Sequence, residues 1–260
     1  MVNHRQPTSP VLGPTPEATM AAFVAQATAD PDVVGLILSG SQAHEGMQTS
    51  HSDFDVHVVL RDETSSPIRD LDGFRSAHLD LVVMALRDFR RRGLRDDPMS
   101  WLRYAYVHAR VLFDGLDGMI GDILDTKRTL SPAEANAAAA RSLDAYVNQA
   151  YRSLKNHRDG RPELAHLDAA ESIPFALEVI FALHQRVRPY NKFLQWELER
   201  HPLNDEWTAG QLLPAIRAIL ANGSPTAQRA LFMHIEQRAR TAGHEQVLDA
   251  WGEDLVLLHA

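Results

Sequence analysis

The chain changes character near residue 130, and this change limits the possible folds more than any other feature. Four short runs rich in β-branched and apolar residues, typical of strands, occur before that point, at 33–38, 54–60, 78–84 and 110–114. Helical segments are predicted around them at 16–29, 87–92 and 101–109. After Ser131 the pattern is helical throughout, over 132–157, 163–188, 190–200, 208–222 and 225–240, with a short helix near 244–250. The sequence therefore predicts an α+β chain, with a small mixed sheet followed by an all-α part.

The boundary between the two parts is expected near Asp125 to Leu130, which gives a first domain over 16–127 and a helical domain over 128–260. The segment Ser131-Pro132-Ala133-Glu134 marks a helix start: Ser caps the helix, Pro takes its first position and Glu can return a capping hydrogen bond. Residues 1–15 are rich in proline and contain no apolar run, so they predict a flexible lead-in rather than a secretory signal.

Composition excludes several classes of function. The 260 residues include no cysteine, which excludes disulfides, zinc–thiolate sites and thiol nucleophiles and fits a cytoplasmic protein. The net charge of −8 disfavours a sequence-independent nucleic-acid binder, which needs Lys and Arg to neutralise phosphates. No apolar stretch reaches the roughly 18–20 residues of a membrane span, so no membrane partner is expected.

The most informative motif is Gly40-Ser41, followed after eleven residues by Asp53-Phe54-Asp55. Residues i and i+2 of a strand share a face, so both carboxylates are expected to converge on one point. Asp80 lies in a third apolar run, where a solvated Asp is not expected, and would complete a site for Mg²⁺, which prefers oxygen ligands. An ordinary edge-strand Asp is the alternative for Asp80.

Gly40 and Ser41 are predicted to serve a different purpose from the carboxylates. Glycine lets the backbone approach phosphates closely, and a helical turn after it offers N–H groups to anionic oxygens. The Ser41 hydroxyl can donate to a β- or γ-phosphate. Together the two residues predict a nucleotide-binding turn at the end of the first strand.

The order of strand, Gly-Ser, spacer, Asp-x-Asp on a second strand and a third Asp resembles the nucleotidyltransferases of the DNA polymerase β superfamily. The motif covers roughly residues 33–114. The helical part that follows resembles, in general character only, bacterial aminoglycoside and other small-molecule nucleotidyltransferases. The resemblance implies that Ser41 binds phosphate, that Asp53 and Asp55 are paired metal ligands and that Asp80 is the third. It also implies two Mg²⁺ ions, an NTP co-substrate, expected to be ATP, and a small hydroxylated acceptor, an antibiotic being one candidate.

Two residues beside the motif have competing interpretations. Ser52 is better interpreted as a turn residue than as a ligand. His57 continues the face of Asp53 and Asp55 and could touch a phosphate, but a partly exposed strand histidine is the favoured interpretation.

The predicted helix over 163–188 contains the candidate general base. Its core stripe comprises Leu167, Ala170, Ile173, Leu177, Ile180, Phe181, His184 and Val187. Asp168, Glu171 and Glu178 fall on the other side. Pro174 leaves the carbonyl of residue 170 without its helical partner, so it is expected to kink or interrupt the helix. Glu171, beside this break, is the candidate that takes the proton from the acceptor hydroxyl, with Asp168 as its substitute and a solvated helix-face Glu as the alternative.

A basic and aromatic group follows at the next helix junction. Lys192 and Arg188 would supply positive charge for the triphosphate, and Tyr190 a flat surface for the base or ribose. The alternative, basic residues that stabilise a helix C-terminus, accounts well for Arg188 and less well for Lys192. Trp196 and Trp207 are predicted to be packing residues.

Three functions remain open at this stage. The first is transfer of a nucleoside monophosphate to a small molecule. The second is a toxin–antitoxin type of nucleotidyltransferase that modifies a protein or an RNA end. The third is a catalytically inactive nucleotide-binding module, which would not need three intact carboxylates.

Overall fold

The structure is a computed structural model that describes residues 9–260. The chain divides into two compact units, the first ending at Arg128 and the second beginning at Thr129. Each unit has its own hydrophobic core. No helix in the described part of the chain is long and apolar enough to cross a membrane.

The first unit alternates helices with the four strands of one sheet. Its elements are α1 (Pro16–Thr28), β1 (Val33–Ser39), a 3-10 turn (Gly40–Ala43), β2 (Phe54–Leu60), a 3-10 turn (Pro67–Leu71), β3 (Leu79–Ala85), α2 (Leu86–Arg91), a 3-10 segment (Ser100–Tyr106), β4 (Arg110–Asp114) and α3 (Met119–Arg128).

The sheet is mixed and has the strand order β3-β2-β1-β4. β1 pairs antiparallel with β2 and with β4, whereas β2 and β3 run parallel. All seven residues of β1 are buried, because this strand has a neighbour on both sides and helices cover both faces. One face packs on α1 through Phe23 and the other on α3 through Ile120 and Leu124.

The lead-in predicted at 1–15 lies outside the described residues as far as position 8. Its described part is tied to α1, since the Gln26 amide donates to the Ser9 carbonyl at 3.2 Å and accepts from the Val11 N–H at 3.0 Å.

Two helical segments of the first unit differ from the prediction. The helix predicted at 101–109 is a 3-10 segment, and α3 was not predicted at all. The Asp114 carboxylate accepts hydrogen bonds from the N–H groups of Ile120 and Gly121 at 3.0 and 3.2 Å. These donors lie six and seven residues after Asp114, whereas a capping side chain usually bonds two or three residues ahead. The usual capping pattern therefore does not predict α3.

The second unit is helical, as predicted. It comprises α4 (Pro132–Arg158), α5 (Pro162–Leu183), a 3-10 turn (Asn191–Phe193), α6 (Leu194–Arg200), α7 (Ala209–Asn222), α8 (Pro225–Thr241), α9 (Glu245–Asp249), a 3-10 turn (Gly252–Leu255) and α10 (Val256–His259). The capping box predicted at the start of α4 is present, with reciprocal hydrogen bonds between Ser131 and Glu134 of 2.9 and 3.3 Å. The predicted α+β class, a small mixed sheet followed by helices, is thereby confirmed.

α5 corrects three expectations. It continues through Pro174 instead of being interrupted there, and it ends at Leu183 rather than near residue 188. Gln185, at φ 55°, occupies the left-handed position of a Schellman-type end, where a glycine would usually give the signal. Leu167, placed in the core stripe, is 64% exposed, because the buried face at this end of the helix is formed by Ala165 and Ala169 instead.

Candidate metal and nucleotide site

The carboxylates of Asp53, Asp55 and Asp80 meet at one end of the sheet. Asp55 of β2 is the register partner of Asp80 on the parallel strand β3, and Asp53 directly precedes β2. A ligand oxygen from each of the three lies within 4.8 Å of the others, and all three residues are half-buried. This spacing allows the three oxygens to coordinate a common cation.

The alternation along β2 explains which face of the sheet the aspartate at its start occupies. Val56 and Val58 point into the core under α1, while Val59 points into the opposite core. Asp55 therefore lies on the same face as Val59, at the end where that face becomes accessible. The pairing of β2 with β3 then fixes Asp80 beside it, so the cluster follows from the hydrophobic register of the two strands.

The Arg75 guanidinium lies next to this cluster. The Nε atom of Arg75 is 3.6 Å from Asp80 Oδ2, and the Arg75 side chain is 83% exposed. An exposed pair of this kind stabilises little, since water screens it. The ion pair therefore offsets only a small part of the repulsion among three neighbouring carboxylates.

The Gly40-Ser41 turn joins the site from the neighbouring strand. Ser39, the last residue of β1, is the register partner of Asp55. Gly40 has φ 67°, and a Cβ atom added there would lie only 1.8 Å from Asp55 Oδ2. The close approach of the turn to Asp55 is therefore sufficient to require a glycine. The approach of this turn to phosphates stays a prediction.

Side chains from two other segments hold this turn. The buried Ser41 hydroxyl donates to Ser52 Oγ at 3.1 Å, and Ser52 Oγ accepts the Thr49 N–H at 3.0 Å. Ser52 is therefore a turn residue, as expected. The Arg110 guanidinium donates to the Gln42 carbonyl at 3.1 Å.

His57 differs from its prediction, because it is buried and not partly exposed. Its side chain packs 5.0 Å from the Tyr106 ring, between centroids, and its Nε2 lies 3.1 Å from Ser39 Oγ. Burial, assisted by the charge of Arg92, lowers the pKa of His57 to about 4. The ring is therefore neutral at physiological pH and supports the strand ends from behind, while its Nδ1 has no hydrogen-bond partner among the described residues.

Glu171 and its substitute Asp168 have different surroundings on α5. Glu171 is exposed one turn before Pro174. Asp168 is half-buried and accepts a hydrogen bond of 2.8 Å from the Asn156 amide. Of the two, Glu171 is the more accessible to a substrate, and Asp168 is already occupied within its own unit.

In the basic and aromatic group after α5, Arg188 already interacts with other side chains, whereas Lys192 is exposed. The Arg188 guanidinium donates to Asn191 Oδ1 at 3.0 Å and lies 3.8 Å from Glu178 Oε1. Lys192 is exposed, with its Nζ 5.2 Å from the centre of the Phe193 ring, and Tyr190 is half-buried. Lys192 is accessible for binding an anion, whereas part of the Arg188 charge is used by Glu178.

Sequence reasoning missed two residues of interest. Glu178 was placed on the side of α5 opposite the core stripe, and its side chain is 44% exposed; partial burial nevertheless raises the pKa of its carboxyl, while Arg188 and Arg141 act in the opposite direction. His44, directly after the Gly40–Ala43 turn, is buried and contacts that turn. A pattern analysis finds neither, because both lie at positions where polarity predicts exposure.

Comparisons with known proteins find likenesses among solved structures alone. No protein-family model matches the chain, and a search of curated proteins finds no significant match. Among solved structures, the chain is similar to a nucleotidyltransferase-like protein from Exiguobacterium sibiricum 255-15, with 15% sequence identity and a TM-score of 0.44. That match covers 94% of this chain and 76% of the other.

Proposed function

We propose that the protein is a metal-dependent nucleotidyltransferase that moves a nucleoside monophosphate from an NTP onto a hydroxyl of a small molecule and releases pyrophosphate. AMP from ATP is the expected donor, and an antibiotic is one candidate acceptor. The observation that carries the proposal is the convergence of Asp53, Asp55 and Asp80 at one end of the sheet, with ligand oxygens within 4.8 Å of one another.

The donor set suits Mg²⁺. Three carboxylates offer only hard oxygen ligands, and the described residues near them include no thiolate or imidazole within the cluster. In the proposed site Asp53 and Asp55 would hold both ions, and Asp80 would help to hold one of them. Bound Mg²⁺ would stabilise the attacking and leaving oxygens of an in-line displacement.

The chain's remaining groups bind and orient the reactants. Gly40 and Ser41 are proposed to bind the phosphates, because their turn abuts Asp55. Lys192 would add a point charge for the β- and γ-phosphates, and Tyr190 with Arg188 would contact the nucleotide. Positioning and neutralisation of charge account for most of the catalysis in reactions of this kind.

Glu171 is the proposed general base that takes the proton from the acceptor hydroxyl. Its exposure on α5 leaves the carboxylate accessible, and Asp168 is the substitute. A group in this role typically contributes about 10²–10⁴ in rate.

The deciding experiment incubates the protein with labelled ATP, Mg²⁺ and three separate acceptor pools: small metabolites, proteins and tRNA. Label in the small-molecule fraction, accompanied by pyrophosphate, is expected. Label in protein or tRNA would instead favour the toxin–antitoxin type. ATP binding without transfer to any pool would favour an inactive nucleotide-binding module.

Matched variants distinguish activity of this protein from activity of a contaminating enzyme. Asp53→Asn and Asp55→Asn are each expected to reduce turnover to below a tenth, a loss of more than about 1.4 kcal/mol of transition-state stabilisation. Asp70→Asn is the control, since this aspartate is exposed on the Pro67–Leu71 turn. If either site variant matched the control in activity, the metal site would be misassigned.

A further inference from the structure

His44 is a buried histidine in contact with the Gly40-Ser41 turn. Only 2% of the residue is exposed, and its Nδ1 lies 2.7 Å from the Gly40 carbonyl oxygen. A carbonyl oxygen can only accept, so Nδ1 must carry the proton that forms this hydrogen bond. The short distance identifies it as a well-formed bond.

The second ring nitrogen and the ring faces fix the orientation of the imidazole. Nε2 is 3.4 Å from the hydroxyl oxygen of the buried Tyr104 and, in the neutral ring, accepts from it. The His108 ring packs edge-on, with centroids 5.1 Å apart. His44 is therefore held in one tautomer and one orientation before any ligand arrives.

The orientation of the Gly40 carbonyl affects both Ser41 and Asp55. It belongs to the peptide that joins Gly40 to Ser41, and because a peptide is planar, fixing its oxygen fixes the direction in which the chain enters Ser41. Gly40 itself lies against the Asp55 carboxylate. A rotation of this peptide would therefore move Ser41 and change the space that Asp55 occupies.

We propose that His44 is a positioning residue of the metal site, acting through the Gly40 carbonyl on Ser41 and Asp55. This inference rests on the proposed metal-dependent transfer. The imidazole touches neither metal nor nucleotide in this role; it restricts the turn so that the Asp55 oxygens stay aimed at the other two carboxylates. Loss of a hydrogen bond to a metal ligand typically weakens metal affinity about 10–100-fold, and His44, one contact further from the metal, is expected at the lower end of that range.

Two variants of similar size test the role of each ring nitrogen. The amide nitrogen of His44→Asn can replace Nδ1 and donate to the Gly40 carbonyl, whereas that of His44→Gln takes the place of Nε2 and faces Tyr104. The probe is Mn²⁺ alone, measured by electron paramagnetic resonance without nucleotide. His44→Asn should bind Mn²⁺ within about threefold of the wild type, and His44→Gln should bind it about tenfold more weakly or worse.

Equal Mn²⁺ affinity in His44→Gln and wild type would overturn the proposal. Equal losses in both variants, together with equally lowered thermal stability, would also overturn it, since His44 would then be a packing residue. Tyr104→Phe is the control: it removes the Nε2 partner but keeps the Nδ1–H donor and the ring, so it should weaken Mn²⁺ binding less than His44→Gln does.

A measurement on the wild type covers the case in which the variants do not fold. Nitrogen-15 spectra of the histidine side chains should show His44 as the Nδ1–H tautomer both before and after addition of Mg²⁺. An Nε2–H tautomer would refute the inference, because Nδ1 could then not donate to the Gly40 carbonyl. Mn²⁺ binding by a wild type that transfers no nucleotide would refute the proposed function alone, whereas a wild type that binds no Mn²⁺ would refute both.

Discussion

Replacing Gly40 with alanine tests the geometry of the site more directly than removing a carboxylate does. The added methyl group would lie 1.8 Å from Asp55 Oδ2 and 2.9 Å from its Cγ. Ordinary contacts of a Cβ atom begin near 3.4 Å. Either the Asp55 carboxylate or the turn must therefore move by more than an ångström, although all three carboxylates remain chemically intact.

Gly73→Ala is the matched control. Gly73 has φ 75°, close to the 67° of Gly40, and a Cβ atom there would meet nothing within 4 Å. The control measures only the cost of the left-handed backbone for an alanine, about 1–2 kcal/mol. Any further loss in Gly40→Ala reports the displacement at Asp55.

A displacement of about 1 Å in a catalytic arrangement can lower the rate about 10²-fold, which corresponds to about 2.7 kcal/mol. We therefore expect kcat/KM of Gly40→Ala to fall about 100-fold or more, while Gly73→Ala stays near the wild-type value. Initial rates of pyrophosphate release give the activity, and urea unfolding gives the free energy of unfolding.

Two results would refute this reasoning. Activity of Gly40→Ala within about threefold of the Gly73→Ala value would mean that the Asp55 position beside the turn is unimportant for turnover. Equal, severe loss in both variants would attribute the defect to backbone strain in the first unit and not to the carboxylate.

Three further predictions concern other parts of the chain. Lys192→Ala should raise the KM for the NTP more than that for the acceptor, because a charge near the phosphates binds the ground and transition states alike; unchanged kinetics would make Lys192 a surface lysine. Glu171→Gln should lower kcat about 10²–10⁴-fold with little change in NTP binding, and a normal rate alongside an impaired Asp168→Asn would move the base to Asp168. The pKa of His57 is lowered from 6.5 to about 4 in the fold, so its contribution to stability is present above pH 6.5 and lost as the pH falls toward 4. In metal-free urea unfolding between pH 7.5 and 4.5, the wild type should lose about 2–3 kcal/mol more than His57→Gln, and equal losses would contradict the burial of a neutral ring.

The strands and the acidic cluster could be predicted because their signals are local. Alternation along β2 placed Asp53 and Asp55 on one side. The apolar run around Asp80 predicted a strand in which a charged side chain is unexpected unless it has a function. The register that sets Asp55 opposite Asp80 is a property of two strands paired in the folded sheet. Sequence alone therefore predicted which carboxylates meet, although not the pairing that brings them together.

The supporting residues could not be predicted, because their burial depends on distant parts of the chain. His57 is covered by Tyr106 and bonded to Ser39, and His44 is enclosed by Tyr104 and His108. The residues next to either histidine in the sequence give no sign of these distant contacts. The end of α5 was predicted wrongly for a similar reason. Gln185 takes a left-handed conformation, which in a sequence is usually indicated by glycine.

The acidic cluster concentrates negative charge at one end of the sheet. Like charges directly opposite each other destabilise a sheet, and here Asp55 faces Asp80 with Asp53 close by. The exposed Arg75 offsets little of this repulsion. On the buried side, the neutral His57 ring lies behind the strand ends and Gly40 lies against Asp55. Binding of a divalent cation would relieve part of this repulsion, which is the physical reason for proposing a metal site here.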